Sequence, residues 1–162
     1  MTKGESLKIT TPSDRAIAMT RTFDAKRDLV WEALTKPDLL KRWLGCQGGW
    51  RLEVCEVDLR VGGAYRWVWH GPDGAEMGMG GVFREITPPE RIVATESFDT
   101  AWYPGNNAVV TQSLTETGGK TTLTMTVEYE SREARDAVLA SPMESGVSAS
   151  YDKLEEVLAS MT

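Results

Sequence analysis

The chain has 162 residues, 41% hydrophobic and 26% charged, with 24 acidic residues against 18 basic ones and a net charge of −6. That length suits one domain able to bury its own core. An acidic chain without a Lys/Arg run argues against nucleic-acid and anionic-membrane binding, because neutralising phosphates needs clustered cations. Cys46 and Cys55 make no disulfide framework and are too far apart for a CxxC site, and a lone His70 makes no multi-histidine metal centre.

Residues 1–13 are polar and lack the apolar stretch of a signal peptide, so they are expected to form a flexible tail ahead of a single domain at 14–160. No apolar run nears the ~18 residues of a membrane span, and the chain is expected to be cytoplasmic, with no membrane insertion. Residues 14–23 read as a strand. Asp24 offers an N-cap for a helix over 25–34, and Pro37 opens a second short helix over 37–43. A Gly-rich loop, 45–49, follows. From Trp50 onward, turn residues at 62–63, 72–74, 88–90, 104–106 and 118–119 separate β-rich runs at 50–59, 64–70, 76–86, 91–98, 108–116 and 120–129. With the first strand these make seven. A helical segment over 131–140 precedes a long helix over 142–159. Ser141 to Glu144 reads as its capping box, and Met143, Val147, Tyr151, Leu154 and Leu158 form its apolar stripe. The order predicts an α+β fold with the long helix packed on one face of a curved antiparallel sheet.

Strand parity predicts what faces that helix. In 120–129, Leu123, Met125, Val127 and Tyr129 alternate with Thr122, Thr124, Thr126 and Glu128. A two-residue turn at Gly118 and Gly119 pairs Leu114 with Leu123, Gln112 with Met125 and Val110 with Val127. At the Pro88–Pro89 turn, pairing Ile86 with Arg91 sets Phe83 opposite Ala94 and Met79 opposite Phe98. The inward set is then Met77, Met79, Gly81, Phe83, Ile92, Ala94, Glu96 and Phe98, joined by Glu85. Tyr65, Trp67 and Trp69 share one face of their strand, and bringing it to the same side requires an odd-length loop or a bulge at 71–75. Large flexible side chains beside small ones can fill a core or line an adaptable pocket.

Several stretches carry a family resemblance: RTFDA at 21–25, VWEAL at 30–34, PDLLKRW at 37–43, VDLRVGG at 57–63, GPDG at 71–74, GVFREI at 81–86, PPERI at 88–92 and GGKT at 118–121. Met143, Glu144, Gly146 and Leu154 extend it. In order and spacing, over about 14–160, the chain resembles the activator of heat-shock-protein-90 ATPase homologue-like family of the SRPBCC, START-like, birch-pollen-allergen-type superfamily. The resemblance implies a helix-grip fold: a seven-stranded antiparallel sheet around the C-terminal helix, two short helices after the first strand, and a hydrophobic cavity between sheet and helix. It implies little chemistry, because this fold hosts carriers, receptors and cyclases. The family commonly has proline where Lys26 stands, and tryptophan after the helix glycine where Val147 stands. Val147 leaves the expected cavity face less filled.

The cavity-lining candidates are Trp31, Trp43, Tyr65, Trp67, Trp69, Met77, Met79, Phe83, Glu96, Phe98, Gln112, Met125, Met143, Val147 and Tyr151. The aromatic members serve equally as core. Arg21, Glu85, Glu96 and Gln112 are polar residues on apolar parity. They either end strands or bond to backbone, or else enter the cavity, where Arg21 would hold a ligand carboxylate and Glu96 would act as acid or base. His70 is expected in a solvated turn, no Ser or Cys has a histidine partner, and the glycines at 78, 80 and 81 read as close packing rather than a phosphate loop. No catalytic residue, metal or cofactor is assigned. The expected role is binding a small apolar molecule, with a weakly held homodimer as the oligomer to consider. A cyclase- or aromatase-like enzyme and a heat-shock-chaperone interaction module are the alternatives.

Overall fold

The computed structural model describes residues 6–161. A hairpin of β1 (Lys8–Ser13) and β2 (Ala16–Phe23) leads into α1 (Arg27–Thr35) and α2 (Pro37–Trp43). A meander follows: β3 (Arg51–Val57), β4 (Ala64–His70), β5 (Glu76–Thr87), β6 (Arg91–Phe98), β7 (Asn107–Thr117) and β8 (Lys120–Tyr129). Then come α3 (Arg132–Leu139) and α4 (Met143–Ser160). The strands make one eight-stranded antiparallel sheet in the order β1-β2-β8-β7-β6-β5-β4-β3.

The eighth strand corrects the expected seven. β1 falls in the segment expected to fray, and it pairs Lys8 with Thr20, Ile9 with Met19 and Thr10 with Ala18 at the sheet edge. Its side chains are mostly exposed, so no period-2 pattern announces it, and an edge position tolerates Pro12. Residues 1–5 of the expected tail lie outside the described residues.

Turn chemistry sets the register of the other strands. Gly118 and Gly119 both have positive φ, 61° and 79°, as a tight two-residue hairpin turn requires. The pairs Leu114–Leu123, Gln112–Met125 and Val110–Val127 follow. The 71–75 connection, with one 3-10 turn at Pro72–Gly74, has odd length and sets Trp69 opposite Met77, Trp67 opposite Met79 and Tyr65 opposite Gly81. The β5–β6 hairpin departs from the expected register. Phe83 pairs with Ala94, but Ile86 pairs with Ile92 rather than Arg91, which leaves Arg84 as an extra residue in a bulge. A bulge reverses the faces beyond it. Ile86 therefore packs on the core, and Glu85, expected to point inward, pairs with Arg91 at 3.0 Å with both side chains nearly half exposed.

Two helix caps also differ from expectation. α1 starts at Arg27 with Lys26, not Asp24, in the cap position and no side-chain cap. Pro142 precedes α4, also with no side-chain cap. The Ser141 hydroxyl instead donates to the Val138 carbonyl at 2.6 Å and closes α3, so no capping box forms. Ser131 caps α3 by accepting from the Ala134 amide at 3.0 Å.

α4 crosses the inner face of the sheet with two unlike halves. Ser150, Tyr151, Leu154, Val157 and Leu158 are buried, whereas no residue of 143–149 is. The buried half packs with Phe23, Val30, Leu40, Trp43 and Leu123. Arg21, only 3% exposed, reaches it from β2 and donates to Asp152 at 2.8 Å and Glu155 at 2.9 Å, with its guanidinium 5.2 Å from the Phe23 ring centre. A cation so deep is tolerable because both fork ends meet carboxylates.

Candidate functional site

The unlike halves of α4 leave space at one end. A cavity of about 560 Å³ lies between the start of α4 and the sheet, a volume suited to a small organic molecule. Its floor comes from alternating positions of successive strands: Tyr65, Trp67 and Trp69 on β4, Met77 and Phe83 on β5, Ile92, Ala94 and Glu96 on β6, Val110 and Gln112 on β7, and Met125 on β8. Met143, Gly146, Val147, Ser150 and Tyr151 form the roof. Leu34, Thr35, Leu40 and Trp43 of the short helices, loop residues Leu44, Gly45, Gln47 and Trp50, and Val57 and Leu59 complete the walls.

The walls are braced. Tyr65 and Trp67 lie 4.7 Å apart, Tyr65 and Phe83 5.5 Å, and Trp67 meets Trp69 edge-on at 6.1 Å. The Trp43 indole N–H donates to the Ala33 carbonyl at 2.9 Å, and that of Trp69 to the Leu44 carbonyl at 2.8 Å. Gly45, with φ of +69°, lies so close to the Trp69 ring that a Cβ there would collide with it. The loop is laced to α4: the Gly45 amide donates to the Ser150 hydroxyl, that hydroxyl donates to Gln47 Oε1, and Gln47 Nε2 donates to the Gly146 carbonyl, at 3.1–3.3 Å.

Of the candidates read from sequence, Trp43, Tyr65, Trp67, Trp69, Met77, Phe83, Glu96, Gln112, Met125, Met143, Val147 and Tyr151 all line this cavity. Trp31, Met79 and Phe98 do not. Met79 shares the inner face but is packed into the core at 5% exposure. Phe98 closes the far end of the sheet in edge-on contacts with Trp102 and Tyr103, and Trp31 packs at the core margin. Parity assigns a face, not a depth. Among the lining residues missed, Ile92, Ala94 and Val110 carried the strand parity. Leu44, Gly45, Gln47 and Trp50 sit in a loop with no period to read.

The polar residues on apolar parity part company. Arg21 is occupied by α4 and does not line the cavity, and Glu85 is outside it; Glu96 and Gln112 do line it. Neither the Glu96 carboxyl nor the Gln112 amide makes a side-chain hydrogen bond among the described residues. Burial pushes the Glu96 carboxyl up to about 7. Burial first, and the Glu96 charge second, push the Tyr65, Tyr103 and Tyr129 hydroxyls above the usual phenol range. Tyr65 donates to the Thr95 carbonyl at 2.6 Å, whereas the buried Tyr103 and Tyr151 hydroxyls have no hydrogen-bond partner among the described residues. His70 is partly buried at the end of β4 and lies 3.3 Å from Glu76 across the β4–β5 pair. Cys46 and Cys55 are free thiols, and burial pushes the Cys55 thiol up to about 11. Among the described residues no cluster of His, Cys, Asp or Glu could hold a metal ion, and no helix is long and apolar enough to cross a membrane.

A curved antiparallel sheet closed over a long C-terminal helix, with a cavity between them, defines a helix-grip protein of the SRPBCC type. The chain belongs to the family described as Activator of Hsp90 ATPase homolog 1-like protein, whose model matches residues 24–159. A solved protein from Rhodobacter sphaeroides is 35% identical with a TM-score of 0.91, the match covering 96% of this chain and 99% of that one. One from Nitrosomonas europaea is 26% identical with a TM-score of 0.80, covering 92% and 97%. A protein from Mycobacterium smegmatis, 21% identical with a TM-score of 0.81 and 96% of each chain covered, shares the fold. No curated protein matches the chain.

Proposed function

We propose that this protein holds a small, mostly apolar molecule between its sheet and the first half of α4. One observation carries the reading: about 560 Å³ of space is walled by Trp, Tyr, Met, Phe and aliphatic side chains held by hydrogen bonds that do not depend on a guest. Such preorganisation lowers the ordering cost of binding. The test is native mass spectrometry of protein purified from cells, with solvent extraction and identification of what is released. A stoichiometric apolar adduct supports the reading.

A cyclase- or aromatase-like enzyme is the second reading, favoured by Glu96 and Gln112 at the cavity wall. A bound substrate would be oriented by the walls and exchange a proton with Glu96. In that case the molecules extracted from wild type and from Glu96→Gln differ in chromatographic retention and fragmentation, because the variant retains unconverted substrate. Identical extracts favour simple binding.

A further inference from the structure

We propose that the occupant of the cavity is an apolar molecule carrying one protonated amine, seated with its ammonium against the Glu96 carboxylate beside the Tyr65 ring. This rests on the ligand-binding reading and names the ligand's chemistry.

The lining is chemically lopsided. Glu96 is its only carboxyl, and the described lining contains no Lys, Arg or His. Among the described residues no ion pair or hydrogen bond reaches the Glu96 carboxyl. The buried cation under α4, Arg21, is already held at both fork ends by Asp152 and Glu155. An uncompensated carboxylate among aromatic rings is costly; protonation relieves that cost in the empty cavity, and a cationic guest relieves it while keeping the carboxylate charged. An ammonium would gain a charge-assisted hydrogen bond from Glu96 and attraction to neighbouring ring faces. A carboxylate guest would be repelled, and a neutral apolar guest would bury the acid further.

The groups facing Glu96 leave this logic intact. Tyr65 comes from β4, Tyr103 from the β6–β7 connection and Tyr129 from β8, and all three hydroxyls titrate above the usual phenol range and so stay neutral near pH 7. Tyr65 spends its hydrogen on the Thr95 carbonyl. Ionisation of Glu96 near neutrality then sets the pH dependence: amine affinity rises about tenfold from pH 6 to pH 8 as the carboxyl deprotonates, while the amine itself remains charged.

The experiment displaces the neutral dye Nile red with three compounds of one aromatic skeleton: naphthylethylamine, naphthylethanol and naphthylacetate. At pH 8 the amine is expected to displace the dye at about tenfold lower concentration than the alcohol, with the acetate weakest. Glu96→Gln, checked for folding by circular dichroism, should bring the amine level with the alcohol. If wild type binds the dye but takes the alcohol or the acetate at least as well as the amine, the amine assignment is overturned and the cavity reading survives. If well-folded wild type binds neither dye nor any of the three, the ligand-binding reading falls and this inference falls with it. The wild-type comparison decides the matter even where the variant does not fold.

Discussion

Val147 and Glu96 make opposite contributions to the cavity, one through the volume it leaves and the other through charge. Val147→Trp adds a large apolar side chain to the roof. In open space the new surface is buried at about 25 cal/mol per Å², whereas in a solid core the same change overpacks at a cost of ~1–3 kcal/mol. Nile red affinity is expected to fall at least about fivefold with an unchanged or higher Tm. A lower Tm, together with no dye binding by wild type, would mean that the aromatic face is ordinary core. Glu96 affects stability through pH. Its carboxyl titrates near 4.5 when unfolded and near 7 when folded, so between those values the folded state holds the extra proton. Stability contributed by the neutral acid is full below about 4.5 and is lost as pH rises through about 7. Glu96→Gln should therefore be more stable than wild type at pH 8, by up to roughly 3 kcal/mol, and lose that advantage by pH 4.5. Urea unfolding at the two pH values measures it; an equal difference at both would refute the assignment.

At the scale of elements, Arg21 is the fastening between β2 and α4. Removing it strips Asp152 and Glu155 of their cation and leaves a hole beside Phe23. Arg21→Ala is expected to cost about 3 kcal/mol, and Arg21→Met less, because the methionine stem refills the space. Equal losses in the two variants, read from denaturant midpoints, would place the whole effect in charge. Strand parity flagged Arg21 as anomalous, but its partners lie 131 and 134 residues away in sequence, and no local pattern names them. The β7–β8 hairpin was legible in full, because two glycines fix the turn and the Thr alternation of β8 fixes the face. The Arg84 bulge was not, because a bulge answers to the twist of the paired strands rather than to one residue's preference. β1 was invisible for lack of a buried face.

For the molecule as a whole, a helix-grip α+β fold could be read from turn spacing, one long amphipathic stripe and the family stretches. The cavity could be read only as a surface. Met77 and Met79 lie on one face of one strand, yet one lines open space and the other fills core, a difference decided by how far α4 and the 44–50 loop reach over the sheet. That reach is tertiary, and the loop residues that set it follow no period.

The two halves of α4 make the helix a cantilever. Its clamped end, 150–158, is held by apolar burial, by Arg21 and by the Gly45 amide on the Ser150 hydroxyl; its free end, 143–149, has no side-chain cap and is tied to the 44–50 loop by a neutral hydrogen bond from Gln47 to the Gly146 carbonyl. Such a bond contributes about 1 kcal/mol, so the free end can lift while the clamped end and the sheet stay put. On the proposed binding role, guests of different girth would be accommodated by bending one beam rather than by reshaping the walls. Hydrogen exchange should register this directly, with amides of 146–150 exchanging well before those of 154–158, and a bound guest should slow the first group while leaving the second unchanged.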